Sequence, residues 1–340
     1  MQQRKPSRGR APERDGAGLA DVLSSAIQKL NKTKPEVSRV IPLTFLLLLM
    51  FKLIDLFILN KTVENLLVIP FQLIIFLLPA FLFARYRNRK DPLDYLFSLR
   101  IRLPRLYQLP LMACALGLSI FGTMLLSAVF AGQDSLESGF TLYNTFVSRT
   151  GGGFFSNLFL ILAYCAVPAF CEELVFRGII GREYERYGPA VAIFTGSLFF
   201  SLLHFNAGQL PVYFFSGVLL SLVTYATGSL IASMAVHFTF NIFGLFGQPY
   251  LSAFYNVTGG SSGLFLFIIS MLALLFAALF CLSAAKCYSG RGKRSKLPPR
   301  PIFPPYARLT HIFSEIFINP FIIFSALLYI IVAVVIPLVI

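Results

Sequence analysis

Tryptophan is absent from this chain, and charge is scarce, with only 13% of residues being Asp, Glu, Lys or Arg. With 56% hydrophobic side chains among 340 residues, that scarcity excludes an ordinary water-soluble globule, which could not hide so much apolar surface. The missing tryptophan removes the usual marker of the membrane interface and leaves 14 tyrosines to share that role. Cysteine is sparse too. Cys114, Cys165, Cys171, Cys281 and Cys287 show no CxxC spacing, which argues against a disulfide framework and reads as small apolar residues within spans. The HExxH string of the familiar zinc proteases is missing. The stretch SGRGKRS (289–295) lacks the GxxxxGK[ST] pattern and a preceding strand, so it reads as a basic loop rather than a phosphate cradle.

What is present in abundance is long apolar runs. A span needs roughly 20 apolar residues, and the sequence predicts about nine (eight to nine): near 41–59, 63–84, 106–131, 155–175, 189–206, 210–227, 229–247, 263–285 and 317–338. The first is the weakest, since Lys52 and Asp55 lie inside it, three apart and able to neutralise each other. Backbone groups in lipid must be satisfied within the segment, so these spans are helices. The expected fold class is all-α, a polytopic transmembrane helix bundle.

The net charge of +14 would suit nucleic acid, but its distribution points to a bilayer. Residues 1–39, 85–105, 177–187 and 286–308 hold 26 of the 29 Lys and Arg residues. With nine spans and a cytoplasmic N-terminus, all four clusters fall on the cytoplasmic side, as the positive-inside rule requires. The expected partners are therefore a lipid bilayer and a peptide or membrane-protein substrate, with no nucleic acid. The expected location is a cell (plasma) membrane, crossed several times. Residues 1–17 have the composition of a disordered tail, and 18–30 that of a short amphipathic surface helix.

The chain divides by polarity: a basic cytoplasmic tail (1–39), N-terminal membrane helices (40–154), a chemistry-bearing core (155–247), and C-terminal membrane helices with a basic, proline-rich loop at 286–308 (248–340). The core holds nearly all the intramembrane polar groups. Its most conspicuous stretch is CEELVFRG (171–178), where Glu172, Glu173 and Arg177 interrupt an apolar segment. A charge at the bilayer centre costs at least ~2.5–3.5 kcal/mol, so such residues default to function. Glu173 and Arg177 are four apart, acid first, and can neutralise each other along one helix. Glu172 is rotated by about 100° from Glu173 and lacks that partner.

Two of the three histidines also lie in apolar segments: His204 in SLLHF, and His237 four residues before Asn241 on one helical face. Converging from the fourth, fifth and seventh spans, these groups share the cost of burial. They also form the parts for activating a water: a base in a dry pocket and donors for an oxyanion. Counting from the turns places Glu172 and His204 both roughly 22–24 Å from the 187–188 turn. His237 comes only roughly 12 Å along its helix, so its helix must be tilted or recessed to join them.

At these residues the chain resembles the CPBP family of intramembrane proteases, which includes the CaaX prenyl proteases and the bacteriocin-processing and immunity proteins. The family signature, EExxxR, FxxxH and HxxxN in order on successive helices, stands here as Glu172–Arg177, Phe200–His204 and His237–Asn241. The resemblance covers about residues 155–246. It implies that Glu172 is the general base for water, that His204 orients or helps activate that water, and that His237 and Asn241 stabilise the oxyanion. Glu173 and Arg177 are implied as supporting groups. Two variants of the chemistry fit the same residues. In one, Glu172, His204 and His237 ligate Zn2+ and leave a fourth position for water; in the other, Glu172 and His204 activate water without metal. The expected function is intramembrane endopeptidase, a hydrolase of a membrane-associated or prenylated protein or peptide. Two rivals are a non-catalytic immunity or scaffold protein that retains the motifs, and a transporter using Glu172 and the histidines as a proton relay.

Overall fold

Every residue in lipid must satisfy its own backbone groups, and an apolar chain does so by coiling. The computed structural model describes residues 43–44, 47, 61–88, 92–130, 152–292, 318 and 320–331, which are helical between short turns and hold no strand. The all-α expectation is met. The tail 1–39, nearly all of the 41–59 span with Lys52 and Asp55, residues 131–151 and the proline-rich part of the 286–308 loop lie outside the described residues.

The helices are α1 (Lys61–Arg87), α2 (Pro92–Phe97), α3 (Leu109–Phe130), a composite α4 (Phe154–Tyr184), α5 (Pro189–Leu203), α6 (Leu210–Thr227), α7 (Leu230–Phe246), α8 (Gln248–Val257), α9 (Ser262–Gly292) and α10 (Pro320–Ile330). Among the described residues, five are long and apolar enough to cross a membrane: Leu67–Arg87, Leu106–Phe130, Phe154–Tyr184, Leu210–Thr227 and Ser262–Cys287. The count becomes six if α7 and α8, which meet at a 70° bend, form one broken span. The chain is thus an integral, multi-pass membrane protein.

Two expected spans differ in detail. The segment 189–206 is a 15-residue helix, about 22 Å long and shorter than a ~30 Å hydrocarbon core. It ends at Leu203 because the chain reverses there: His204 is the C-cap and Phe205 takes a positive φ of 49°. The segment near 286, expected to open a loop, instead continues α9 to Gly292.

A hydrophobic core joins Leu111, Ala115 and Leu118 of α3 to Leu219 and Val223 of α6, Val236 of α7 and Phe280 of α9. On the other side of α6 and α7 lie α4 and α5, brought close by small residues. A Cβ on Gly217 would stand 2.9 Å from Ser197 Cα, and one on Gly196 would stand 3.1 Å from the Phe176 carbonyl oxygen. Small residues let helix backbones approach where lipid provides no hydrophobic drive.

The α6–α7 turn is recessed, as the depth count requires. The extended segment after α2 lies beneath it. Leu230 N–H donates to the Arg100 carbonyl (3.1 Å), Arg102 Nε to the Gly228 carbonyl (2.6 Å), and Gln108 Nε2 to the Thr227 carbonyl (2.9 Å). Leu230 consequently packs at the level of Gly178, 3.4 Å from where that glycine's Cβ would be. His237, seven residues further along α7, is thereby carried to the level of the acidic pair.

Candidate active site

Glu172 and Glu173 sit at the end of an α-helical turn, Val167–Glu173, held between two π-helical stretches, Ile161–Ala166 and Leu174–Ile180. Such wide turns are uncommon and concentrate at functional sites. The two carboxylates diverge, as their neighbouring positions on a helix dictate. Glu173 is completely buried, while the Glu172 side chain keeps 14% of its surface.

Glu173 Oε1 accepts from Arg177 Nη1 at 2.7 Å and from His237 Nδ1 at 3.0 Å. Arg177 is as buried as its partner, with a 1% exposed side chain. Its Nη2 donates to the Gly217 carbonyl at 3.1 Å, and its guanidinium carbon lies 4.4 Å from the centre of the Phe200 ring. A carboxylate, a backbone carbonyl and an aromatic face thus surround one guanidinium. That is the compensation a buried charge needs.

His237 has its Nδ1–H committed to Glu173, which fixes its tautomer and its orientation. Its Nε2 faces Glu172 Oε2 at 4.0 Å. This gap exceeds a hydrogen bond and suits a water shared between the two groups. His204 stands nearby on Phe200, whose ring centre is 4.9 Å from that of His204 and 5.9 Å from that of His237. His204 Nδ1 is 2.8 Å from the Phe200 carbonyl, an acceptor, so this nitrogen carries the proton. Asn241 is half-buried on α7, one turn beyond His237.

The structure therefore brings Glu172, Glu173, Arg177 and His237 into one chain of contacts, with His204 and Asn241 flanking it. These side chains come from α4, the end of α5, and α7. Two residues of the site carried no signal that the sequence reading used. Tyr213, in the first turn of α6, stacks on His204 with ring centres 3.8 Å apart and planes 18° apart. Phe200, read only as a motif letter, is the ring against which Arg177, His204 and His237 all rest. The string GGSSG (259–263) spells GxSxG, a pattern expected to be absent. It forms a helix-to-helix turn in which Ser261 Oγ accepts from Leu264 N–H, and no strand leads into it as a nucleophile elbow requires.

The zinc variant is tested by the donors themselves. Among the described residues, no three His, Cys, Asp or Glu side chains are gathered closely enough to hold a metal ion. As arranged, Glu172, His204 and His237 do not fit a three-ligand metal centre.

Residues 154–243 match the family model described as Rce1-like, Type II CAAX prenyl endopeptidase Rce1-like. No curated protein and no solved structure matches the chain. The matched stretch runs from the start of α4 into α7 and contains every residue of the site just described. This match supports the CPBP, or CAAX protease, family for the core, as the three motifs imply.

Proposed function

We propose that the chain is an intramembrane endopeptidase that hydrolyses a peptide bond of a membrane-associated or prenylated protein, using water activated by Glu172. The observation that carries this reading is the 4.0 Å gap between Glu172 Oε2 and His237 Nε2, with His237 locked from behind by Glu173. A water in that gap donates one hydrogen to Glu172 and the other to the bare Nε2 of His237. Its lone pair then points at an incoming carbonyl carbon.

Glu172 takes the proton as the water oxygen bonds to that carbon, and the carbonyl π electrons move to the oxygen. The amide Nδ2–H of Asn241 is a donor at every pH and serves the resulting oxyanion. Collapse breaks the C–N bond, and the leaving amine takes the proton held by Glu172. His237 therefore positions water more than it binds the oxyanion, because its donor nitrogen is already in use. His204, steadied by Phe200 and Tyr213, orients the substrate carbonyl or the water from the opposite side.

The test is cleavage of a prenylated CaaX-type peptide by purified protein in proteoliposomes. Glu172→Gln keeps the shape and removes the base. It should lower kcat by about 10²–10⁴-fold with no change in thermal midpoint. Undiminished activity in that variant would overturn the assignment. A wild-type protein that cleaves nothing but binds the peptide would favour the non-catalytic scaffold.

A further inference from the structure

Near the basic end of the bundle lies a second feature that the peptidase chemistry does not use. It is a cavity of about 700 Å³, of the size that holds small ligands. Its wall carries four guanidiniums, of Arg87, Arg100, Arg177 and Arg182, against two carboxylates, of Glu183 and Glu185. The cavity sits where membrane spans end: the spans Leu67–Arg87, Phe154–Tyr184 and Leu210–Thr227 all stop at this level. That is the depth of lipid headgroups.

The charges are arranged rather than scattered. Glu183, 5% exposed, accepts from Arg87 Nε (3.2 Å) and Nη2 (3.0 Å) and from the Tyr95 hydroxyl (3.0 Å). Burial, together with the neighbouring Glu183 carboxylate, pushes the Tyr95 phenol above its ordinary value, so it stays a donor. Arg100 Nη2 holds both oxygens of Glu185 at 2.7 and 2.8 Å. Both carboxylates are thus occupied by wall residues. Arg182 has neutral partners, the carbonyl of Ser98 at 2.9 Å and the face of Tyr95 at 5.3 Å. A guanidinium offers five donors, and these bonds engage only two nitrogens of Arg87 and one each of Arg100 and Arg182. At the inner end, the Nε–H of the buried Arg177 meets no acceptor among the described residues. With Arg177 balanced by Glu173, the wall holds one cation more than anions, spare planar donors at its mouth, and an unpartnered buried donor at its depth.

We infer that this cavity is a binding site for a phosphate-bearing anion, the headgroup of an anionic phospholipid. Guanidinium forks match phosphate oxygens in geometry and charge, and basic pockets between membrane helices at headgroup depth take such lipids. The site is separate from the water-activating gap and does not depend on the peptidase reading. The two features touch through Arg177 alone, whose Nη1 reaches Glu173.

The test is native mass spectrometry of the full-length protein, delipidated in detergent and then titrated with phosphatidylglycerol, phosphatidylcholine or inorganic phosphate. The wild type should retain one phosphatidylglycerol more tightly than phosphatidylcholine. An Arg100→Gln/Arg182→Gln variant should lose about 25-fold in that affinity, at about fivefold per arginine. Arg85→Gln should lose little, since Arg85 is exposed at the same end of α1 and outside the cavity wall. A charge-keeping Arg182→Lys variant should retain most of the binding, which separates lost charge from lost fold. Equal binding of phosphatidylcholine, or an equal loss in Arg85→Gln, would overturn the site. Saturable binding of inorganic phosphate alone, abolished in the double variant, would keep the anion site and overturn the lipid as its occupant.

Discussion

Replacing Glu173 by glutamine separates what holds the site together from what performs its chemistry. Glu173 has no exposed surface, and its Oε1 takes bonds from Arg177 at 2.7 Å and His237 at 3.0 Å. Glutamine preserves the shape but removes the negative charge opposite a guanidinium that is 1% exposed. Breaking one partner of a buried pair costs about 3–5 kcal/mol, because the other charge stays buried. The Phe200 face and the Gly217 carbonyl remain as partial compensation, which places the loss at the lower end, about 3 kcal/mol. The thermal midpoint in detergent should fall by about 4 °C. Activity should also fall, by about 10²-fold, because a neutral amide oxygen aims the His237 ring less firmly than the carboxylate does. Adding Arg177→Met removes the stranded charge. Much of the stability should then return, since no buried charge is left without its counter-ion. Activity should not return, because His237 still faces a neutral amide in place of the carboxylate. Peptide cleavage and thermal scans on the wild type and the two variants check this. Wild-type stability in Glu173→Gln, or wild-type activity in the double variant, would refute the division of labour.

Other expectations follow from single contacts. Tyr213→Leu should lower kcat by about tenfold through loss of the His204 stack, while Tyr213→Phe should keep most of the activity; if both variants match the wild type, the stack has no catalytic role. Gly217→Ala should destabilise by about 1–3 kcal/mol, because its methyl group meets the Ser197 backbone at 2.9 Å; an unchanged thermal midpoint would contradict that close approach. Exhaustive chelation should leave cleavage unchanged, as no three donors among the described residues are gathered to hold a metal. Stoichiometric zinc in purified wild type that is lost in a His204→Ala/His237→Ala variant would restore the metal-dependent reading.

Much of this protein was legible in one dimension because the bilayer imposes harsh local rules. An apolar run of span length must coil, and a charge within it must find a partner, so the helices of the core and the Glu173–Arg177 pair could be read from spacing alone. The divergence of Glu172 from Glu173 was equally readable, since both lie in a regular α turn. The π-helical stretches on either side carry no comparable sequence signal.

Contacts made across the bundle were decided by the tertiary structure. Spacing placed His237 too near its turn to reach the acids, and only the recessed α6–α7 turn, clamped by Arg100, Arg102 and Gln108, brings it there. That position puts His237 Nδ1 on Glu173 and its Nε2 4.0 Å from Glu172, a pairing that spacing did not show. Tyr213 enters the site because α5 stops at Leu203 and doubles back. The arginine-lined cavity joins three span ends from distant parts of the chain. A sequence determines by itself what each segment must do in lipid, because that requirement is met within the segment. Which faces meet depends on turn depth, helix winding and the room left by small residues, and those are settled only when all the helices are packed together.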